Sequence, residues 1–316
     1  MAIRGHLWTL MPRLQRSLRT PRLPHGDAWN CVVADPITGD VLLSGVLHVP
    51  DGASEAVVLV HGLGGSADSD YLRIAAAAAA RAGMASLRLS LRGADGLGED
   101  YYHAGLTDDL TAALRCSDLA RFERLYLLGY SLGGHVALRL AATADTPRLA
   151  AVAAVCAPLD LRRTSEIIDR RLAAAPYRIY LLSALKLIYA AVAARRAVPE
   201  PVERVQRIRR MREWDDRVVA PRFGFGDAVD YYTRMSVGPL LGDLRVPTLM
   251  ISTLHDPMVP AETVAPWLRR VPEALTVRWI DEGGHLGFPD GVDLGLGLAG
   301  GGRSFESQIL TWLRRK

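Results

Sequence analysis

Short unbroken apolar runs alternate along this chain with longer stretches whose apolar positions recur at helical spacing. Val57–Val60, Ser86–Leu91, Leu125–Leu128, Leu149–Cys156, Pro247–Thr253 and Thr276–Ile280 read as strands. Several are apolar on both faces, as strands buried between two helical layers must be. Tyr71–Ala82, Thr107–Leu119, His135–Ala142 and Phe305–Arg315 read as helices between and after them. The first is rich in alanine and stops at Gly83. The second opens on Asp108 and Asp109, whose charges suit a helix N-terminus. This rhythm predicts an α/β fold with a mostly parallel central sheet flanked by helices.

Residues 160–240 break the rhythm. Ile179–Ala194 is helical and apolar on several faces, and Val202, Val205, Ile208 and Met211 form a stripe opposite Arg204, Arg207 and Arg210. The stretch therefore reads as an inserted helical cap, with residues 1–159 and 241–316 forming the core domain. The Gly-rich stretch 291–302 reads as a flexible loop.

Composition changes this picture little. The 316 residues are 49% hydrophobic and 23% charged, which excludes a disordered or fibrous chain. A net charge of +4 is too small to suggest a nucleic-acid partner. The charge is uneven, however. Residues 160–212 hold thirteen Lys/Arg against five Asp/Glu, so the cap is basic and the remainder acidic. Cys31, Cys116 and Cys156 are odd in number and widely spaced, which reads as free thiols in a reducing compartment. Arg4, Arg13, Arg16, Arg19 and Arg22 precede the first acid, Asp27, but Pro12 and the arginines interrupt any apolar signal-peptide core. Ile179–Ala194 is too short to span a membrane and contains Lys186. A cytoplasmic protein is expected.

The sharpest chemical signal is Gly129-Tyr130-Ser131-Leu132-Gly133, a G-x-S-x-G between an expected strand and an expected helix. Small flanking residues let the backbone turn tightly and present the serine hydroxyl above the sheet edge. A serine needs a base, and the base needs an orienting acid. Asp256 and His285 each follow a strand and stand in the chain order Ser, acid, His. Asp160, after the strand 149–156, is the alternative acid, or else a helix cap. The amides of Leu132 and of Leu63, in His61-Gly62-Leu63-Gly64-Gly65, are the expected oxyanion donors. His61 reads as a structural member of that loop. The string His103…Asp108 is near chance as an acyltransferase signature. Asp95, Glu99 and Asp100 could suggest a metal, but Ser/Asp/His chemistry needs none, and no nucleotide loop follows a strand. No metal and no cofactor are expected.

These features resemble the α/β-hydrolases, and more narrowly their YheT-like branch. The resemblance rests on Gly5-His6-Leu7-Trp8-Thr9-Leu10, His61–Ser66, Arg92-Gly93, Tyr102–Gly105, Gly129–Gly134, Met211–Tyr232 and Gly283–Phe288. The MREWDDRVVAPRFGFGDAVDYY block and the Gly-Gly-His-x-Gly-Phe ending are the branch-specific parts. The resemblance implies a serine hydrolase of carboxylic esters with Ser131, Asp256 and His285 at the triad positions. It also implies that residues 5–10 belong to the folded domain and are not a targeting peptide. Some members carry an N-terminal membrane anchor and act on phospholipids; no anchor is expected here.

The expected function is thus hydrolysis of a small-molecule or lipid ester through an acyl-enzyme. The alternatives are a lipase or phospholipase that touches membrane surfaces through its basic cap, an acyltransferase, and a catalytically silent binding protein on the same fold.

Overall fold

The computed structural model describes residues 5–10, 23, 25–297 and 304–316; Arg4, Arg13, Arg16, Arg19, Arg22 and the last part of the 291–302 stretch lie outside them. Eight strands form one sheet: β1 (Asp27–Asp35), β2 (Gly39–His48), β3 (Glu55–Val60), β4 (Ala85–Ser90), β5 (Arg124–Tyr130), β6 (Leu149–Val155), β7 (Thr248–Thr253) and β8 (Leu275–Ile280). Their order is β1-β2-β4-β3-β5-β6-β7-β8. All pairs from β4 to β8 are parallel, while β1–β2 and β2–β4 are antiparallel.

Side-chain alternation in the central strands feeds two cores. Val57, Leu59, Tyr126 and Leu128 join Leu72, Ala75 and Ala79 of α1 (Asp70–Arg81) on one face. Val58, Val60, Leu125 and Leu127 meet Leu110 of α2 (Asp108–Arg115) and Val136 of α3 (Leu132–Thr143) on the other. The alanines of α1 let the helix lie close to the sheet, and Gly83 closes it at φ 68°. The C-terminal helix α7 (Phe305–Arg314) packs beside α1.

Between β6 and β7 the chain forms α4 (Leu161–Arg170), α5 (Ala175–Ala193), several short turns and α6 (Ala228–Met235). Leu181, Tyr189, Trp214 and Tyr231 continue the core on the α2/α3 face. The 202–211 stripe is not one helix. Val202–Val205 and Met211–Trp214 are single turns, yet Val205, Ile208 and Met211 are all buried. The expected helix 107–119 is broken where Cys116 adopts an extended conformation. Among the described residues no helix is long and apolar enough to cross a membrane.

One buried charge cluster ties the strand ends together. Arg92, just after β4, meets Asp35 of β1 at 2.6 Å, Asp109 of α2 at 2.6 Å and Asp100 at 3.4 Å. Asp100 also takes Arg222. These pairs anchor the segment that carries Tyr101 and Tyr102. The neighbouring acids make other bonds: Asp95 with Ser44 and the Leu97 amide, Glu99 with Arg195 and Arg196.

Candidate active site

The parallel strands deliver their ends to one edge of the sheet, where ligand sites of open α/β folds lie. β5 runs directly into α3 with only Ser131 between them. The turn forces Ser131 to φ 52° and ψ −118°, a conformation that costs a side-chain-bearing residue about 1–3 kcal/mol. Its N–H is held by the Val155 carbonyl at 2.7 Å. The turn needs glycine nearby, because a Cβ on Gly133 would stand 2.5 Å from the carbonyl oxygens of Val60 and His61.

Asp256 follows β7 and His285 follows β8. Asp256 Oδ1 accepts the amides of Met258 and Val259, both at 2.8 Å, which fixes the carboxylate. His285 Nδ1 lies 2.8 Å from Asp256 Oδ2, and His285 Nε2 lies 3.0 Å from Ser131 Oγ. A carboxylate accepts, so Nδ1 donates to it, and Nε2 is left as the acceptor facing the serine. The chain of three is 5% exposed at Asp256 and 8% at His285, so little water competes for these bonds.

The loop after β3 is held from two sides. Tyr71 OH accepts the Gly62 amide at 2.9 Å, Tyr102 OH accepts the Gly64 amide at 2.7 Å, and the Gly65 amide returns to Gly62 O at 3.0 Å. From Gly62 to Gly65, the Leu63 N–H alone makes no hydrogen bond to a described residue. Leu132, the first residue of α3, has no intrahelical partner for its amide. Leu63, Leu132 and Ser131 line one cavity.

The other sequence candidates fall into structural roles. Asp160 is the N-cap of α4, accepting the Arg163 amide at 2.9 Å. His61 is buried between Gly62 O and the Leu91 amide, and burial lowers its pKa to about 4. His103 accepts the Gly105 amide at 3.0 Å and does not meet Asp108, which is exposed. It is Asp109 that is buried, against Arg92.

Beyond the strained turn at Ser131, which the motif itself implies, three features carry no signal in the motif. Among described non-glycine residues, positive φ occurs at Ser131, Cys156 and Leu286, all at the site. Cys156 brings its sulfur into the same group as Asp256 and His285, with candidate ligand atoms within 4.8 Å of one another. Burial pushes that thiol well above its ordinary pKa, and the carboxylate and imidazole are already bonded to each other. The third feature is Thr9, whose Oγ1 accepts the His285 amide at 2.8 Å.

The cavity has a volume of about 560 Å³. Leu161, Ile168, Leu181, Leu185, Met211 and Trp214 of the inserted helices wall it, and among the described residues neither Lys nor Arg lines it. Its polar lining includes Asp68, Asp70 and His103 and, from the inserted helices, Asp215 with Ser165 and Tyr232. Tyr232 OH donates to Asp215 Oδ2 at 2.6 Å, and Ser165 Oγ lies 3.0 Å from Tyr232 OH. Burial, with Asp169 and Asp216 adding to it, raises the Asp215 pKa to about 8 against the Tyr232 hydrogen bond.

A strand–serine–helix turn, an acid and a histidine at successive strand ends, and an eight-stranded sheet of this order define an α/β-hydrolase. The family model described as "alpha/beta hydrolase fold" matches residues 55–292, and the chain belongs to that family. Within it the chain is YheT-like: it is 31% identical over 336 aligned positions to the YheT protein of Escherichia coli (strain K12), a candidate esterase by name, covering 98% of this chain and 89% of that one. The Saccharomyces cerevisiae protein named medium-chain fatty acid ethyl ester synthase/esterase 2 is 26% identical, over 74% of this chain and 58% of its own. Among solved structures, the α/β hydrolase GrgF of a Penicillium species superposes with a TM-score of 0.59 at 17% identity, over 92% of this chain and 99% of that one. The Pyrococcus furiosus esterase Pf2001 gives 0.54 at 16%, over 83% and 84%.

Proposed function

We propose that this protein is a serine hydrolase of carboxylic esters, with Ser131 as nucleophile, His285 as base and Asp256 as its orienting acid. The observation that carries the reading is the hydrogen-bonded chain from Asp256 through His285 to Ser131. Ser131 Oγ attacks the ester carbonyl carbon while His285 Nε2 takes its proton. The carbonyl oxygen becomes an oxyanion held by the Leu63 and Leu132 amides, and one such donor is typically worth about 3 kcal/mol. The intermediate collapses, His285 returns the proton to the departing alcohol, and an acyl-Ser131 remains. Water then repeats the sequence and releases the acid. Asp256 keeps the Nδ1 proton in place and stabilises the imidazolium. Residues 160–240 act as a cap whose apolar helices receive the hydrocarbon part of the substrate, over a core made of 1–159 and 241–316. The names of the relatives, esterases and lipases among them, support an ester substrate.

A fluorophosphonate probe tests this reading. The wild type should gain the mass of one phosphonyl group on the peptide containing Ser131, and Ser131→Ala should gain none. Labelling elsewhere, or none in a folded wild type, would contradict it.

A second reading, work at a membrane surface, draws on exposed apolar residues near the cavity mouth. Leu10 and Tyr180 line the cavity yet are 53% and 41% exposed, and Ile179, next to Tyr180 in the chain, is 64% exposed. Co-sedimentation with anionic vesicles at low salt, weakened by added salt, is the expected result. Absence of binding at low salt would dispose of it.

A further inference from the structure

The inserted segment contributes several buried polar side chains to the cavity wall. Thr164 and Ser165 come from α4, Tyr232 from α6, and Asp215 from the π-helical turn Asp215–Val219. All are more than nine-tenths buried. Buried polar groups in folded proteins nearly always find partners, and π-helical turns are frequent at functional sites. Here two atoms have none. Thr164 Oγ1 is fully buried without a hydrogen-bond partner. Asp215 Oδ2 accepts the Tyr232 hydroxyl, but Oδ1 bonds to no described residue. A carboxyl so buried is held neutral, and with Oδ2 occupied as an acceptor its proton falls on Oδ1. At Asp215 the cavity therefore offers a strong O–H donor, and among the described residues neither Lys nor Arg lines it to balance an anionic group.

We infer that Asp215 forms a specificity subsite for a second, uncharged oxygen on the ester substrate, such as a hydroxyl. The inference rests on the ester-hydrolase reading. A neutral hydroxyl oxygen accepts from Asp215 and gives its unpaired group a partner. A carboxylate or phosphate would enter at a desolvation cost that no described lining residue offsets with a counter-charge. A plain alkyl chain would leave Asp215 Oδ1 unpaired, the situation in which polar sites discriminate most strongly.

The test compares p-nitrophenyl octanoate with a series of p-nitrophenyl hydroxyoctanoates in which the hydroxyl is moved along the chain. A parallel series compares octanoate esters of simple alcohols with those of diols. At least one hydroxylated ester should exceed its plain counterpart in kcat/KM by about tenfold, the scale of one buried hydrogen bond. The acyl series reports a group on the acid side, the diol series one on the alcohol side. Asp215→Leu should erase that preference, and Asp215→Asn, which keeps a donor, should retain part of it. Asp215→Asn also serves as the milder variant should Asp215→Leu not fold. Calorimetric binding of the corresponding methyl esters to Ser131→Ala reads the same preference without turnover.

No preference in either series, or equal losses on plain and hydroxylated esters in the variants, would overturn the subsite. Failure of the wild type to hydrolyse even the plain ester would count against the hydrolase reading instead, and the binding arm would then decide the subsite by itself.

Discussion

The backbone N–H of His285 donates to Thr9 Oγ1 at 2.8 Å, across 276 positions of sequence. Thr9 lies in the helical segment 5–10 and donates in turn to the Gly5 carbonyl at 2.7 Å. The loop bearing the histidine is thus fastened to the start of the described chain. His6 adds a contact to the inserted helices, its Nδ1 2.8 Å from Tyr177 OH. Residues 5–10 belong to the architecture of the site.

A first prediction follows from that bond. Thr9→Val removes the acceptor and leaves a part-buried amide unpaired, which costs about 1–3 kcal/mol. The imidazole should lose registration with Ser131, lowering kcat about tenfold with KM within twofold, while Thr9→Ser restores the rate. Steady-state kinetics on a short p-nitrophenyl ester would check it. An unchanged kcat in Thr9→Val would show that the loop holds its histidine without this residue.

Much of this was legible in advance. The serine turn was readable because a G-x-S-x-G between a buried strand and a helix has few other uses, and Asp256 and His285 because both follow strands of the same sheet. The tight loop after β3 is legible in its glycines. Thr9 was not, since its role is a single hydrogen bond whose partner is distant in sequence. The antiparallel pair β1–β2 was also missed: Trp29, Val33, Val41 and Leu43 are buried among exposed or half-buried neighbours, a weaker pattern than the continuous runs of the central strands. The break at Cys116 and the fragmentation of 202–211 reflect tertiary packing overriding helical periodicity. The polar cluster around Asp215 lay within a recognisable sequence block, but its buried neighbours come from two other helices.

Backbone strain at the serine makes a second prediction. Ser131 sits at φ 52° and ψ −118°, where glycine is not penalised. Ser131→Gly should raise stability by about 1 kcal/mol while abolishing esterase activity, a rise of about 2–4 °C in Tm for a domain of this size. Thermal unfolding followed by circular dichroism measures it. A lower Tm would mean that the serine's contacts outweigh its strain.

The Asp215 carboxyl should leave a mark on stability against pH. Its ordinary pKa is 3.8, and burial raises it to about 8 in the fold. Between those values the folded state keeps a proton that the unfolded chain has released. Its contribution is fully present below about pH 4 and is lost as pH rises through about 8, with a slope of up to about 1.4 kcal/mol per pH unit. Asp215→Asn does not titrate, so its stability measured in urea should be flatter than wild type from pH 5 to pH 9. Parallel curves for the two proteins would contradict a neutral Asp215.

Cavity size sets a fourth expectation. With about 560 Å³ and walls of leucine, isoleucine, methionine and tryptophan, the site has room for more than a two-carbon acyl group. Each methylene buried is worth about 0.8 kcal/mol at most. kcat/KM should therefore climb from acetate through butyrate to about octanoate. A monotonic fall beyond acetate would show that the apolar space does not receive the acyl chain.

The most direct measurement is hydrolysis of p-nitrophenyl butyrate by the wild type beside Ser131→Ala, with both proteins shown to be folded by circular dichroism. A clear wild-type rate reduced at least a thousandfold in the variant is the predicted result, in line with the loss of a triad nucleophile. Equal rates in the two proteins would contradict the account, because the hydrogen-bonded chain from Asp256 to Ser131 would then not carry the reaction.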